Sequence, residues 1–160
     1  MIDQDLKDLL LALNAHEVEY LVVGGYAVGA HSEPRATKDL DIFIRADEKN
    51  SVSVYRALAE YGAPLKGLTP DDFKGASSSF LQIGVPPNRI DILQSIDGVS
   101  FDEAWKDRIE GLVGGSVPAH FISREHLIQN KLAAGRRQDL ADVEALREAA
   151  KSQNQSKGNQ

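Results

Sequence analysis

The chain has 160 residues, enough for one hydrophobic core and too few for two ordinary domains; its 42% hydrophobic and 26% charged content excludes a disordered, collagenous or membrane composition. With no cysteine, disulfides, thiol catalysis and cysteine-ligated zinc or iron-sulfur centres are excluded, so any metal must be held by oxygen or imidazole. A formal net charge of −6 repels nucleic acid at long range, and a polyanionic partner therefore needs a local basic patch.

Leu6, Leu9, Leu10 and Leu13 recur at helical spacing, which predicts an amphipathic helix over residues 3–15 whose apolar stripe packs on a sheet. The opening Met1-Ile2-Asp3-Gln4-Asp5 has neither the basic start nor the apolar stretch of a secretory signal, and no apolar run reaches bilayer length. A cytoplasmic protein without a membrane segment is expected. Tyr20-Leu21-Val22-Val23 is a short β-prone run ended by Gly24-Gly25, after which residues 26–31 restart as a helix. From Asp39 to Ile44, acidic or aromatic residues alternate with Leu40, Ile42 and Ile44, the period of a strand with one face in the core. Asp39 and Asp41 then share the other face. Residues 47–61 read as a helix with Val54, Leu58 and Tyr61 at one-turn spacing, and the loop after it, punctuated by Gly62, Pro64, Gly67 and Pro70, is a candidate flexible lid.

Residues 79–85 and 89–93 are strand-like runs separated by Pro86-Pro87-Asn88, with Asp91 between Ile90 and Ile92. After a short amphipathic piece around Trp105, residues 109–113 and 117–122 flank Gly114-Gly115 as a further hairpin that gives the sheet an edge. Ser123 suits the N-cap of a helix through about Ala134, Gly135 ends it, and a last helix carries Leu140, Val143 and Leu146. Beyond Lys151 no apolar residue remains to be buried, so residues 1–150 are expected as one domain and 151–160 as a disordered tail. The expected class is α/β (α+β): a mixed β-sheet flanked by helices, with a C-terminal helical pair.

Two carboxylates at i and i+2 on one strand face stand within reach of a common ion and are held on rigid backbone. Like charges that close repel and lose solvation, so Asp39 and Asp41 persist as a dianion only when cations compensate them. Hard oxygens without thiols favour Mg2+ or Mn2+, and Mg2+ also takes phosphate oxygens, which implies a nucleoside triphosphate substrate. Asp91 shares a strand face with Arg89 and Leu93, and on a neighbouring strand it completes a trio able to bridge two ions. At Gly24-Gly25 a side-chain-free turn opening into a helix lets backbone N–H groups approach a triphosphate.

The segments Val22-Val23-Gly24-Gly25-Tyr26-Ala27-Val28 and Pro34-Arg35-Ala36-Thr37-Lys38-Asp39-Leu40-Asp41-Ile42 resemble the nucleotidyltransferase superfamily, of polymerase β-like fold. The specific match is to its small bacterial branch related to AbiEii-type toxins. That superfamily's glycine pair, carboxylate-x-carboxylate strand and later strand aspartate correspond to Gly24, Gly25, Asp39, Asp41 and Asp91. The likeness continues from Asn130 to Asp142, a lysine followed by Arg-x-x-Asp-x-x-Asp, and covers residues 20–146 in all. It implies an ATP-type triphosphate, an RNA such as tRNA or a protein as acceptor, and a toxin-antitoxin or phage-defence setting with a cognate partner.

Lys131 falls near the apolar stripe of its helix and is a candidate catalytic and nucleotide-binding cation, its alternative being a lysine snorkelling from the helix edge. Arg136, Asp139 and Asp142 read as an ion-pair set fixing the last two helices. Arg35 and Thr37 precede the aspartate strand and are candidates for nucleotide binding or for loop anchoring. None of His16, His31, His120 and His126 has metal-ligand spacing with another. The expectation is thus a metal-dependent enzyme that moves a nucleoside monophosphate to an acceptor hydroxyl. Two rivals remain: an aminoglycoside-type nucleotidyltransferase, which predicts an acidic pocket around residues 62–74, and a non-catalytic nucleotide- or partner-binding module such as an antitoxin.

Overall fold

The structure, a computed structural model, describes residues 4–33, 39–75, 80–84 and 88–158. The first helix, α1 (Gln4–Ala15), buries Leu6, Leu9, Leu10 and Leu13, as their spacing predicts. Strand β1 (Tyr20–Val23), buried at every position, runs straight into α2 (Gly24–His31), so the glycine pair forms the first turn of the helix and no separate turn intervenes. Strand β2 (Asp39–Ile44) is followed by α3 (Glu48–Tyr61), which Asp47 caps by accepting the Asn50 N–H and which Gly62 ends at φ 94°, a conformation that favours glycine.

Strands β3 (Phe80–Ile83) and β4 (Arg89–Leu93) pair antiparallel, α4 (Phe101–Lys106) crosses over, and β5 (Ile109–Val113) pairs antiparallel with β6 (Val117–Phe121). Helix α5 (Arg124–Ala134) starts at Ser123, whose hydroxyl accepts the His126 N–H, and stops at Gly135 in the left-handed conformation. Helix α6 (Arg137–Gly158) is the last described element. Extending an existing helix adds one hydrogen bond per residue without a new nucleus, so α6 continues past Lys151 to Gly158 although no side chain there is apolar.

The six strands form one mixed sheet in the order β3-β4-β2-β1-β6-β5, with β2 parallel to β4 and β1 parallel to β6. Leu40, Ile42 and Ile44 of β2 and Ile90 and Ile92 of β4 share one face and are buried. The opposite face carries Asp39, Asp41 and Phe43 beside Arg89, Asp91 and Leu93. Helix α2 lies over β1 and β2 and touches both α5 and α6. The side chains of Gln129 and Asn130 on α5 donate to the carbonyls of Gly98 and Asp97, which ties the helical pair to the chain leaving β4.

The stretch after Gly62, expected as a flexible lid, is tied down instead. Thr69 and Asp72 form a reciprocal capping box on the 3-10 turn Pro70–Phe73, and Phe73 is buried in the core. Gln94, just past β4, accepts the Gly75 N–H and donates to the Asp72 carbonyl. Composition alone, rich in glycine and proline, does not reveal a buried aromatic anchor.

Candidate active site

The strand register sets the site. Asp41 of β2 pairs with Asp91 of β4 on one side and with Val23 of β1 on the other, while Asp39 pairs with Arg89. Directly paired residues point to the same face, so the three carboxylates and the guanidinium share one patch of sheet. Gly24 begins α2 right after Val23, and a Cβ built on it would overlap the Asp41 carboxylate; its φ of 64° disfavours a side chain as well. The glycine is therefore required by the close approach of Asp41 and by its left-handed backbone conformation. Gly25 follows as the second residue of α2, half-buried.

Burial pushes the Asp41 carboxyl up to about 7, helped by the charge of Asp91, by a hydrogen-bonding contact with it and by Asp39, with Arg89 opposing. One nitrogen of Arg89, Nη2, lies 3.0 Å from Asp39 Oδ2 and 3.2 Å from Asp91 Oδ2. Asp91 is buried, and its Oδ1 has no hydrogen-bond partner, as is also true of Arg89 Nε. Three carboxylates thus face one guanidinium, and a buried acceptor atom is left open.

Lys131 is buried on α5, and its ammonium lies 3.2 Å from Asp139 Oδ1 and 3.0 Å from Asp142 Oδ2 on α6. It is committed to those two carboxylates and does not contact Asp39, Asp41 or Asp91. Arg136 donates to Asp139 from its backbone N–H and from Nε at 2.7 Å, and Gln138 donates to Asp142. Burial pushes Asp139 up, but the hydrogen bonds from Arg136 and Lys131 outweigh it and hold the carboxyl below its ordinary range. The Arg136 guanidinium, held charged chiefly by its hydrogen bond to Asp139, is also within electrostatic reach of Asp97 and Asp41. The ion-pair set expected from the sequence is present, with Lys131 at its centre.

A family model described as "Nucleotidyltransferase of unknown function (DUF6036)" matches residues 1–150. The chain belongs to this nucleotidyltransferase family. The match does not name the AbiEii-type toxin branch. Among solved structures, the nucleotidyltransferase is similar to the lincosamide antibiotic adenylyltransferase LnuA with lincomycin bound, at TM-score 0.57 and 17% identity over 92% of this chain and 97% of that one. It is similar to the antibiotic-resistance factor ANT(2'')-Ia, at TM-score 0.56 and 14% identity over 93% and 82%. A nucleotidyltransferase from Thermotoga maritima, TM1012, matches at TM-score 0.56 and 16% identity over 92% and 91%. Identities this low show the shared fold. No curated protein matches the chain.

Within this nucleotidyltransferase the donor set for a metal is oxygen only. Among the described residues no three His, Asp or Glu side chains form a ready-made metal cage. The trio nonetheless fits a divalent ion in its chemistry: hard carboxylate oxygens, a like-charge repulsion that a cation relieves, and an open buried oxygen on Asp91. Arg35 and Thr37 lie outside the described residues. His16, His31, His120 and His126 each have a partner away from the carboxylate patch: Glu60, the Ile122 carbonyl, Glu110 and Ser123. Among the described residues no helix is long and apolar enough to cross a membrane.

Two residues escape a sequence reading of this enzyme. Arg89 is visible there only as a neighbour of Asp91 on one face, because its contact with Asp39 depends on the parallel register of two strands distant in the chain. Gln82 on β3 is exposed and pairs with Asp91 across the antiparallel ladder, so it stands at the edge of the patch. No spacing rule signals it.

Proposed function

We propose that the enzyme transfers a nucleoside monophosphate from a nucleoside triphosphate to an acceptor hydroxyl, with Asp39, Asp41 and Asp91 holding Mg2+ or Mn2+. The observation that carries this reading is the register of Asp41 with Asp91 directly against the glycine that opens α2. A divalent ion at these carboxylates would supply the positive charge that neutralises the triphosphate. The first N–H groups of α2, at Gly24 and Gly25, face the phosphate end, and Arg35 and Thr37 add nucleotide contacts from the segment before β2. Asp91, sharing the metal, helps activate the acceptor hydroxyl, whose proton passes to solvent. The acceptor oxygen forms a bond to the α-phosphorus as the bond to pyrophosphate breaks. Lys131 contributes by fixing the helical pair behind α2.

An RNA acceptor such as tRNA, in the toxin-antitoxin or phage-defence setting the resemblance implies, is supported by local charge. The exposed Arg137 opens α6 next to the exposed, ion-paired Arg136, which is within electrostatic reach of Asp41, so these two arginines are the local positive charge that a polyanion would meet on a chain of net charge −6. A small-molecule acceptor has one observation in its favour, a groove of about 830 Å³ lined by Asp5, Asp8 and Glu60 beside Gly62 and Pro64. Ile83 also lines that groove, and its pairing with Ile90 turns it to the sheet face opposite Asp91. The acidic groove is therefore on the wrong side of the sheet to present an acceptor to the carboxylates.

The test is incubation of purified protein with each labelled triphosphate, Mg2+ and total RNA or lysate. Label on RNA, absent with Asp41→Ala, is the expected result; label on a protein moves the acceptor from RNA to protein. Bound triphosphate with no labelled acceptor of any kind replaces the enzyme reading with a nucleotide-binding module.

A further inference from the structure

We infer that Arg89 is the resident counter-ion of the carboxylate trio, holding the place of one cation, and so sets the affinity and number of the divalent ions that bind there. The inference rests on the metal-binding reading of Asp39, Asp41 and Asp91. Arg89 stands beside Asp39 across the parallel pair and two residues before Asp91 on its own strand, so one side chain reaches both carboxylates. Its Nη2 engages an oxygen of each, at 3.0 and 3.2 Å.

The quality of the contact shows that it can be displaced. A guanidinium bound for stability uses its fork, as Arg136 does when Nε and Nη2 both reach Asp139. Arg89 uses a single nitrogen for two carboxylates and leaves Nε buried without a partner. Charge holds it there, with incomplete hydrogen bonding. The oxygens are divided accordingly. Asp91 Oδ1 is open, while Asp39 Oδ2 and Asp91 Oδ2 are taken by Arg89. One divalent ion can use the free oxygens with Arg89 in place, whereas a second must compete with the guanidinium for the ones it holds. A fixed positive charge within hydrogen-bonding distance of the ligand oxygens also weakens the first ion through like-charge repulsion.

The experiment is a Mn2+ titration of the metal-free full chain, with free ion read by electron paramagnetic resonance, alongside thermal unfolding of each variant. Wild type is expected to bind one ion, and Arg89→Gln to bind it about tenfold tighter and to take up a second. Arg89→Lys, which keeps the charge, is expected to behave as wild type. Arg89→Met is a second neutral variant should the glutamine variant not fold, with the same expected gain. Equal or weaker binding by the neutral variants, with wild-type binding abolished by Asp41→Asn, overturns the counter-ion role and leaves the metal site standing. Absence of Mn2+ binding in every protein, wild type included, overturns the metal reading and this inference with it.

Discussion

Among the described residues, two of the clusters of aspartate and basic side chains are built to opposite ends. On α5 and α6, Asp139 and Asp142 meet Lys131 and Arg136, two carboxylates against two cations, and Asp139 is held below its ordinary range by its hydrogen bonds. On β2 and β4, Asp39 and Asp91 each contact Arg89 beside Asp41, an oxygen of Asp91 stays open, and burial with like charges pushes Asp41 up to about 7. The first cluster balances its charges within the chain and ties α5 to α6. In the second, three carboxylates lie close together on one sheet face beside Gly24, and like-charge crowding of that kind is what the proposed metal site would use.

The comparison is most exposed by Asp41→Ala. Nucleotidyl transfer by that variant is expected to fall at least about 1000-fold, near 4 kcal/mol of barrier, while the metal-free protein unfolds no more easily than wild type. Parallel rate assays and thermal melts check both halves, and a marked loss of stability would make Asp41 a structural residue. Lys131→Ala should do the reverse: it strands two buried carboxylates and is expected to destabilise the protein by about 3 kcal/mol in denaturant unfolding. If instead it melts like wild type but loses activity, Lys131 acts on the triphosphate after all.

Gly24→Ala adds a Cβ where Asp41 already sits and at a positive φ, so a stability loss of about 1–2 kcal/mol and a rate loss of at least about tenfold are expected, read by melts and initial rates. The most gradual effect is a slope. A carboxyl raised from 3.8 to about 7 in the folded chain stabilises it fully only below the unfolded value, so metal-free protein should lose stability as pH rises from about 4 through 7. The loss is at most about 1.4 kcal/mol per pH unit. Asp41→Asn should flatten that slope relative to wild type in melts run in chelator, and an unchanged slope would show that Asp41 is not its source.

Much of this was legible along the chain. The alternation in Asp39–Ile44 marks β2 and puts Asp39 and Asp41 on one face; Ser123 and Gly135 bracket α5; Asp47 and Gly62 bracket α3. These are local signals, set by side-chain periods and by caps that act within a turn. The exception rests on tertiary contacts: a glycine- and proline-rich stretch read as a lid is pinned by Phe73 in the core and by Gln94 some twenty residues on.

What the sequence determined by itself is the inventory: which segments become strands and helices, which aspartates leave the core, and which nucleotidyltransferase motifs the chain carries. Only the tertiary structure decided who meets whom. It set Asp91 opposite Asp41, brought Arg89 to Asp39, and paired Lys131 with Asp139 and Asp142 across the helical pair. Periodicity is a property of a few neighbouring residues, whereas strand order and helix docking join segments far apart in the chain, and electrostatic compensation follows those distant pairings.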